Sequence, residues 1–559
     1  MNVGSPTFVA FLLGALLAFH GLTQVPDRFK ILAINLVFLA SFIRTPLAIL
    51  PTLGFVALGW LLLHLVEKAR HRIAFYFAIA CLLVGFVIVK QYSMVPDALI
   101  PDFIYSVVGL SYLLFRVLHL LIDVRQGAIT RVPGVLAYFN FLFCFLTFVA
   151  GPIQRYEEHC KHFTTADRTL NRLDIRAALS RIIEGFVKVV GISVVANDVI
   201  ATLPISIVPD QIASLSFISE IPNILKILLS NSDNESLVRL SLRFLLRAAA
   251  FLVYLYVNFS GYMDIVFGSA RLFGFRLPEN FDRPFISRNM LEFWSRWHIT
   301  LSNWFKTYLF QPLLILLAVS FGRRKANAYL AVPAFMITFM VMGLWHGTTS
   351  AFVYYGLLLG IGVAGNKLFQ LLLQRTIGKK TYGRFAANPL YGATTRGLTI
   401  TYFGLSLCCL WLDADQLTQL AQLYGVTGIA KLIFVASILT TLVLSTWNLV
   451  VRWAVVGGDL VAIASGYLGL IWLAMIWGNL LSINPLIEQL VGFGLNDGPK
   501  AVLGGLLLIF AWSVRNHLYS ERTETPPDGI GVLSVRILLL LFASLSHAGM
   551  TPDFIYKGF

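Results

Sequence analysis

ANAYLAVPAFMITFMVMGLWHGTTSAFVYYGLLLGIGVAGN, residues 326–366, carries no Asp, Glu, Lys or Arg. A helix needs about 20 mostly apolar residues to cross the hydrocarbon core of a bilayer. The run therefore predicts two membrane spans joined by a short turn. Near that turn, in GLWHG at 343–347, stands His346, the run's one side chain that titrates readily near neutral pH. An ionisable group at membrane depth is a functional hypothesis by default, because it is costly to keep there. The competing reading is a histidine at a helix–helix turn whose imidazole meets a backbone carbonyl. Gly343 and Gly347 lack a Cβ, so either a ligand or a packed helix can come close to them. The sequence leaves that choice open.

The rest of the chain repeats the pattern. It has 559 residues, of which 57% are hydrophobic and 13% charged, against about 25% charged in an average soluble protein. Apolar segments that predict spans lie near 6–22, 30–44, 47–65, 73–93, 103–122, 132–150, 176–203, 212–230, 243–270, 326–345, 350–366, 393–413, 431–451, 460–482, 501–514 and 532–546. The fold class expected is all-α, a polytopic integral membrane bundle of about 13 to 16 transmembrane, re-entrant and interfacial helices. Sheets are not expected, because an unclosed edge has no partner in lipid. Polar connectors at 153–175, 276–292, 375–392 and 515–529 are too short and too bare to be soluble domains, so residues 1–559 read as one membrane domain. The start, MNVGSPTFVAFLLGALLAFHGL, has no basic n-region and reads as a first membrane helix rather than a cleaved signal.

A net charge of +15 would suit a nucleic-acid binder, but the positives fall in short loops between apolar runs. That is the cytoplasmic-loop bias of a membrane protein, and no nucleic-acid partner is expected. The five cysteines show no metal or redox spacing. Cys81, Cys144, Cys408 and Cys409 lie in apolar runs and read as packing residues. Glu157, Glu158 and His159 lie in a connector with no further ligand nearby, so no metal site is expected.

A second histidine stands in FWSRWHIT, residues 293–300. On a helical wheel of 294–308, Trp294, Trp297, Leu301, Trp304, Phe305 and Tyr308 share one face, and Ser295, Arg296, Asn303, Lys306 and Thr307 the other. This predicts an amphipathic helix in the membrane interface. Arg296 would face the headgroups. His298 would sit at the edge of the aromatic face, with Ser302 one turn on. Either His298 is a packed interfacial histidine, or it looks into a site.

Loop charges set these two histidines against each other. Positives at 323–325 precede the charge-free run, and Lys367, Arg375, Lys379 and Lys380 follow it. Both ends are then cytoplasmic, which sends His346 toward the outer side and leaves His298 on the inner side. Across a core of about 30 Å they could not act together. Either they are independent, or the protein hollows the membrane so that inner and outer cavities meet.

Residues 258–313, NFSGYMDIVFGSARLFGFRLPENFDRPFISRNMLEFWSRWHITLSNWFKTYLFQPL, resemble the signature region of the membrane-bound O-acyltransferase (MBOAT) family. The bacterial branch containing the alginate O-acetylation protein and the teichoic-acid D-alanyl transferase is the most similar. GLWHG with FVYYG at 352–356 resembles that branch's second histidine motif, FVAGPIQRYEE at 148–158 an upstream motif, and the final FIYKGF the usual ending. The resemblance is dense over 100–370, which it marks as the catalytic core, and thin over 415–559, whose helices receive no role. The branch's glycine pair after YLFQP is replaced here by LLILLA at 313–318, which leaves the shape of the cytoplasmic mouth undefined.

The resemblance implies a bundle around a central funnel that thins the membrane. It implies His346 as principal catalytic residue and His298 as the second functional histidine, with Trp297, Ser302 and Asn303 candidates for substrate binding. The activity implied is transfer of an acyl group, acetyl first, from a cytoplasmic thioester to a hydroxyl of an exported envelope polysaccharide or of a partner enzyme. D-alanyl or amino-acyl transfer from a carrier protein is the alternative. The thioester co-substrate is acyl-CoA or the phosphopantetheine of an acyl carrier protein, and no permanently bound cofactor is expected. The expected surroundings are the lipid bilayer of a bacterial cytoplasmic (inner) membrane, crossed many times, and an extracytoplasmic transferase or esterase-like partner. A neutral imidazole is the form that takes a proton from a hydroxyl, and desolvation disfavours the imidazolium; His346 receives the base role, and His298 that of orienting the thioester or polarising its carbonyl.

Buried polar groups also suit a proton-coupled transporter or flippase, the rival from another class, although the paired broken helices of repeated halves are not evident. A purely structural subunit leaves both histidine motifs unexplained. Asp264 calls for a cationic partner, Arg271 or Arg283. Arg116, His119 and Asp123, at i, i+3 and i+7, read as a polar stripe that satisfies itself.

Overall fold

The computed structural model describes residues 5–456 apart from 44–45, 70, 94, 97, 99–108, 165–170, 204, 206–236 and 322–327. The expected spans near 212–230, 460–482, 501–514 and 532–546 lie outside these residues, as do the connector at 515–529, the basic cluster at 323–325 and FIYKGF. Among the described residues every regular element is helical. Six helices among the described residues are long and apolar enough to cross a bilayer: Leu47–Ala69, Arg72–Lys90, Leu240–Leu272, Ala328–His346, Ser350–Ile377 and Ala414–Trp447. Large apolar side chains such as Leu61, Phe77, Ile315 and Phe434 stand on the outside, the surface that lipid covers and that a soluble protein avoids. The protein is an all-α, multi-pass membrane protein.

Glycine permits close helix contacts. The charge-free run folds as the expected hairpin, with helices Ala331–His346 and Ser350–Ile377. A Cβ on Gly343 would lie 2.5 Å from the Cα of Gly356, and one on Gly347 would lie 2.0 Å from the Phe352 ring. Both glycines serve helix packing, the second of the two readings left open by the sequence. The same device joins the long central helix Leu237–Leu272 to Arg172–Phe186, where a Cβ on Gly185 would lie 2.5 Å from the Gly261 carbonyl oxygen.

That close approach corrects the partner expected for Asp264. Its carboxylate accepts from Lys188 Nζ at 2.6 Å and from Arg181 Nε at 3.1 Å, both on the neighbouring segment. Arg271 turns instead to Asp174, and Arg283 to Asp282. Sequence proximity pointed to the wrong cations because the glycine contact, invisible along the chain, decides which ones meet the carboxylate.

Residues 132–150 are not a span. The helix runs only over Val135–Leu142, and buried irregular backbone follows. Such backbone is tolerated at membrane depth only where protein satisfies it. Arg116 does so here, donating to the carbonyls of Phe141, Leu142 and Thr147 at 2.6–2.7 Å. His119 Nδ1 faces the Phe115 carbonyl, its Nε2 accepts from the Tyr156 N–H, and Asp123 accepts from the Tyr308 hydroxyl. The stripe therefore shares a face, as expected, but its members are satisfied by other segments and by the helix's own backbone rather than by one another.

Candidate functional site

The aromatic segment does not form one helix. Met290–Arg296 ends at Trp297, which is extended, and Ile299–Phe305 begins after His298, whose φ of 44° is left-handed. A non-glycine residue in that region costs about 1–3 kcal/mol and persists only where its surroundings over-determine it. Asn280 supplies the constraint. Its backbone carbonyl accepts from Ile299 N–H at 2.9 Å. Its side-chain oxygen accepts from Thr300 N–H at 3.2 Å and Thr300 Oγ1 at 2.9 Å, and lies 3.1 Å from His298 Nδ1.

This arrangement fixes the imidazole's tautomer. The backbone N–H of Thr300 can only donate, so the Asn280 atom it meets is an acceptor, and Nδ1 must carry the proton it shares with it. A neutral His298 then holds its lone pair on Nε2. Burial, and after it the neighbouring His346, push His298 well below the usual histidine range.

The two faces of the wheel survive the break. Trp294, Trp297, Leu301, Trp304 and Phe305 are buried, while Ser295, Asn303 and Lys306 are exposed. Arg296 is not an open headgroup-facing charge, because it pairs with Asp282 at 2.8 Å and Glu292 at 3.2 Å.

His346 closes the helix Ala331–His346, and its ring lies between those of Trp345, at 4.7 Å, and Tyr355, at 5.5 Å. His298 and His346, which loop charges set on opposite faces, border one crevice. Leu255, Trp294, Trp297, Leu301, Tyr355 and Leu410 complete its walls. The crevice is tight, with room for about one water molecule. The indole N–H of Trp294 is buried and meets no acceptor among the described residues.

Of the sequence-derived site residues, His346, His298 and Trp297 come together here. Ser302 and Asn303 lie outside this lining: Ser302 donates to the Trp297 carbonyl at 3.3 Å, and Asn303 is exposed. Tyr355 and Asn280 were passed over by the sequence reading, although both stand inside quoted motifs. Nothing in their spacing marks them, because their partners lie on other segments. Among the described residues no group of His, Cys, Asp and Glu could hold a metal ion.

These features define a class, polytopic helical membrane proteins with a paired-histidine centre buried between helices. Residues 224–410, which contain both histidines, match the family model of MBOAT, the membrane-bound O-acyltransferase family. It is 30% identical over 274 residues to the teichoic acid D-alanyltransferase of Streptococcus thermophilus, covering 48% of this chain and 59% of that protein. It is 27% identical over 348 residues to the probable alginate O-acetylase AlgI of Pseudomonas fluorescens, covering 62% of this chain and 59% of that protein. A shorter segment of 115 residues is 36% identical to the peptidoglycan O-acetyltransferase of Helicobacter pylori, covering 21% of this chain and 20% of that protein. The chain thus spans little more than half the length of the first two relatives.

Proposed function

We propose that this protein is an O-acyltransferase of a bacterial cytoplasmic membrane, moving an acetyl group from a cytoplasmic thioester to a hydroxyl of an exported envelope polysaccharide or of a partner enzyme. The observation that carries the reading is the convergence of His298 and His346 on one crevice inside a helical membrane bundle. The names of the relatives, which concern alginate, peptidoglycan and teichoic acid, support an envelope polymer as acceptor. D-alanyl transfer remains the second reading, favoured by the 30% identity to a teichoic acid D-alanyltransferase. The donor is acyl-CoA or an acyl carrier protein.

In the step proposed, His346 takes the proton of the acceptor hydroxyl as its oxygen attacks the thioester carbonyl carbon. The C–O bond forms, the C–S bond breaks, and the imidazolium returns the proton to the leaving thiolate. The tautomer of His298 narrows its role. A lone pair on Nε2 accepts and does not donate, so a neutral His298 cannot polarise the carbonyl. It suits the amide N–H beside the sulfur of a phosphopantetheine arm, which orients the donor. The Trp294 indole N–H, buried and without an acceptor among the described residues, is a donor in the lining that would serve the carbonyl oxygen. With room for about one water, the crevice is a constriction whose walls part for the reacting groups, in keeping with the funnel implied by the family resemblance.

Purified protein in vesicles, given acetyl-CoA or an acetylated carrier protein and a soluble glycan, should release free thiol in step with acetylation. Proton-dependent flux of a solute without thiol release would establish the rival transporter instead.

A further inference from the structure

Lys90 is a buried lysine whose position topology does not explain. It closes the helix Arg72–Lys90, which starts within the basic stretch EKARHR at 67–72. By the positive-inside rule that end is cytoplasmic. Lys90 then lies at the outer end, where the same rule gives a lysine no place. It is 9% exposed.

Its amino group donates to the Trp345 carbonyl at 2.6 Å, one residue before His346, and to Ser111 Oγ at 3.1 Å. The last carbonyls of a helix have no partner inside it, and a cation there complements the helix dipole. Neighbouring groups close the same end. Tyr92 Oη donates to the Leu344 carbonyl at 2.7 Å, and Ser93 to the Thr348 carbonyl through N–H and Oγ. The Trp345 indole donates to the Ser111 carbonyl at 3.0 Å, so Ser111 and Lys90 grip the residue before His346 from two sides.

We propose that Lys90 is a positioning residue for His346: its amino group clamps the end of the helix that presents the imidazole to the crevice. The role rests on the acyl-transfer reading, in which His346 must be held within a fraction of an ångström of the hydroxyl.

The test compares Lys90→Met, Lys90→Arg and Tyr92→Phe with wild type in vesicles. Lys90→Met should lower kcat by about tenfold to a hundredfold with KM changed less than about twofold, because displacements near 1 Å cost on that scale. Lys90→Arg, which keeps an N–H donor, should recover most of the loss. Tyr92→Phe, which removes a neutral cap from the same end, should cost less than Lys90→Met. A second readout needs no substrate: labelling of His346 by diethyl pyrocarbonate, measured by mass spectrometry against exposed His71, should change in Lys90→Met and return in Lys90→Arg. Unchanged labelling, an arginine variant as poor as the methionine one, or a Tyr92→Phe loss equal to that of Lys90→Met would overturn the proposal. A wild type that transfers no acyl group would sink the function instead, and the labelling would still report on Lys90.

Discussion

The two histidines reach the same crevice from opposite kinds of structure. His346 ends a regular helix in an apolar hairpin, and glycine-to-glycine contact holds that hairpin together. His298 sits in a left-handed kink between two seven-residue helices and is held by one asparagine 18 positions earlier. One is placed by bulk packing, the other by a handful of hydrogen bonds. The hairpin side should therefore fail through volume changes and the kink side through single polar atoms.

The largest effect is expected on the hairpin side from the imidazole itself. His346→Ala should lower acyl transfer by roughly 10²–10⁴-fold, the usual contribution of a positioned base, with the protein still inserted and folded. Transfer at the wild-type rate in that variant would remove His346 from the chemistry and leave the kink as the centre of the site.

On the kink side, Asn280→Ala should lower kcat by about tenfold to a hundredfold through misplacement of the ring. The ordering matters more than the size. If losing Asn280 costs as much as losing His298, the asparagine is the whole of what makes His298 useful. If it costs nothing, the left-handed backbone alone holds the ring and the tautomer argument is wrong.

This contrast also sets what the sequence could reveal. The hairpin is a local property of 41 uncharged residues, and hydrophobic length reads it directly. The kink depends on Asn280 meeting Ile299 and Thr300 across a loop, which no helical wheel contains. A wheel over 294–308 still sorted buried from exposed residues, since the aromatic side faces the core on both helices. It could not see the turn that brings His298 to His346. The irregular backbone beyond Leu142 was misread for a related reason. Its residues are apolar enough for a span, and the guanidinium that satisfies it lies 25 to 31 positions earlier. Loop charges likewise placed each histidine by its neighbours in sequence, whereas the crevice joins residues from four separate segments.

Volume should be the hairpin's weakness. Gly343→Ala puts a Cβ against the Gly356 backbone, at 2.5 Å before relaxation. Backbone cannot swing aside as a side chain can, so the helices must separate, at a cost of about 1–3 kcal/mol for overpacking. A lower melting temperature in detergent is expected, with transfer impaired through His346 rather than His298. An unchanged melting temperature would mean that the hairpin is looser than its glycines imply.

The smallest expected effect concerns proton linkage at the kink. Folding holds His298 well below its usual range through burial, so the unfolded chain binds a proton near pH 6.5 that the folded protein refuses. Stability then rises with pH wherever the unfolded state carries more protons. The contribution of His298 is complete above about pH 6.5 and falls as the pH drops below it, toward the folded-state value, by at most about 1.4 kcal/mol per pH unit. Other groups titrate in the same window, so the measurement is a difference: melting temperatures at pH 7.5 and pH 5.5 for wild type and His298→Gln. Glutamine keeps a polar side chain at the kink but does not titrate. Its loss of stability on acidification should therefore be smaller than that of the wild type. Equal losses would mean that His298 accepts its proton in the folded protein as readily as in the unfolded chain. The crevice would then be wet enough to solvate a charge, and the kink would no longer differ from an ordinary surface turn.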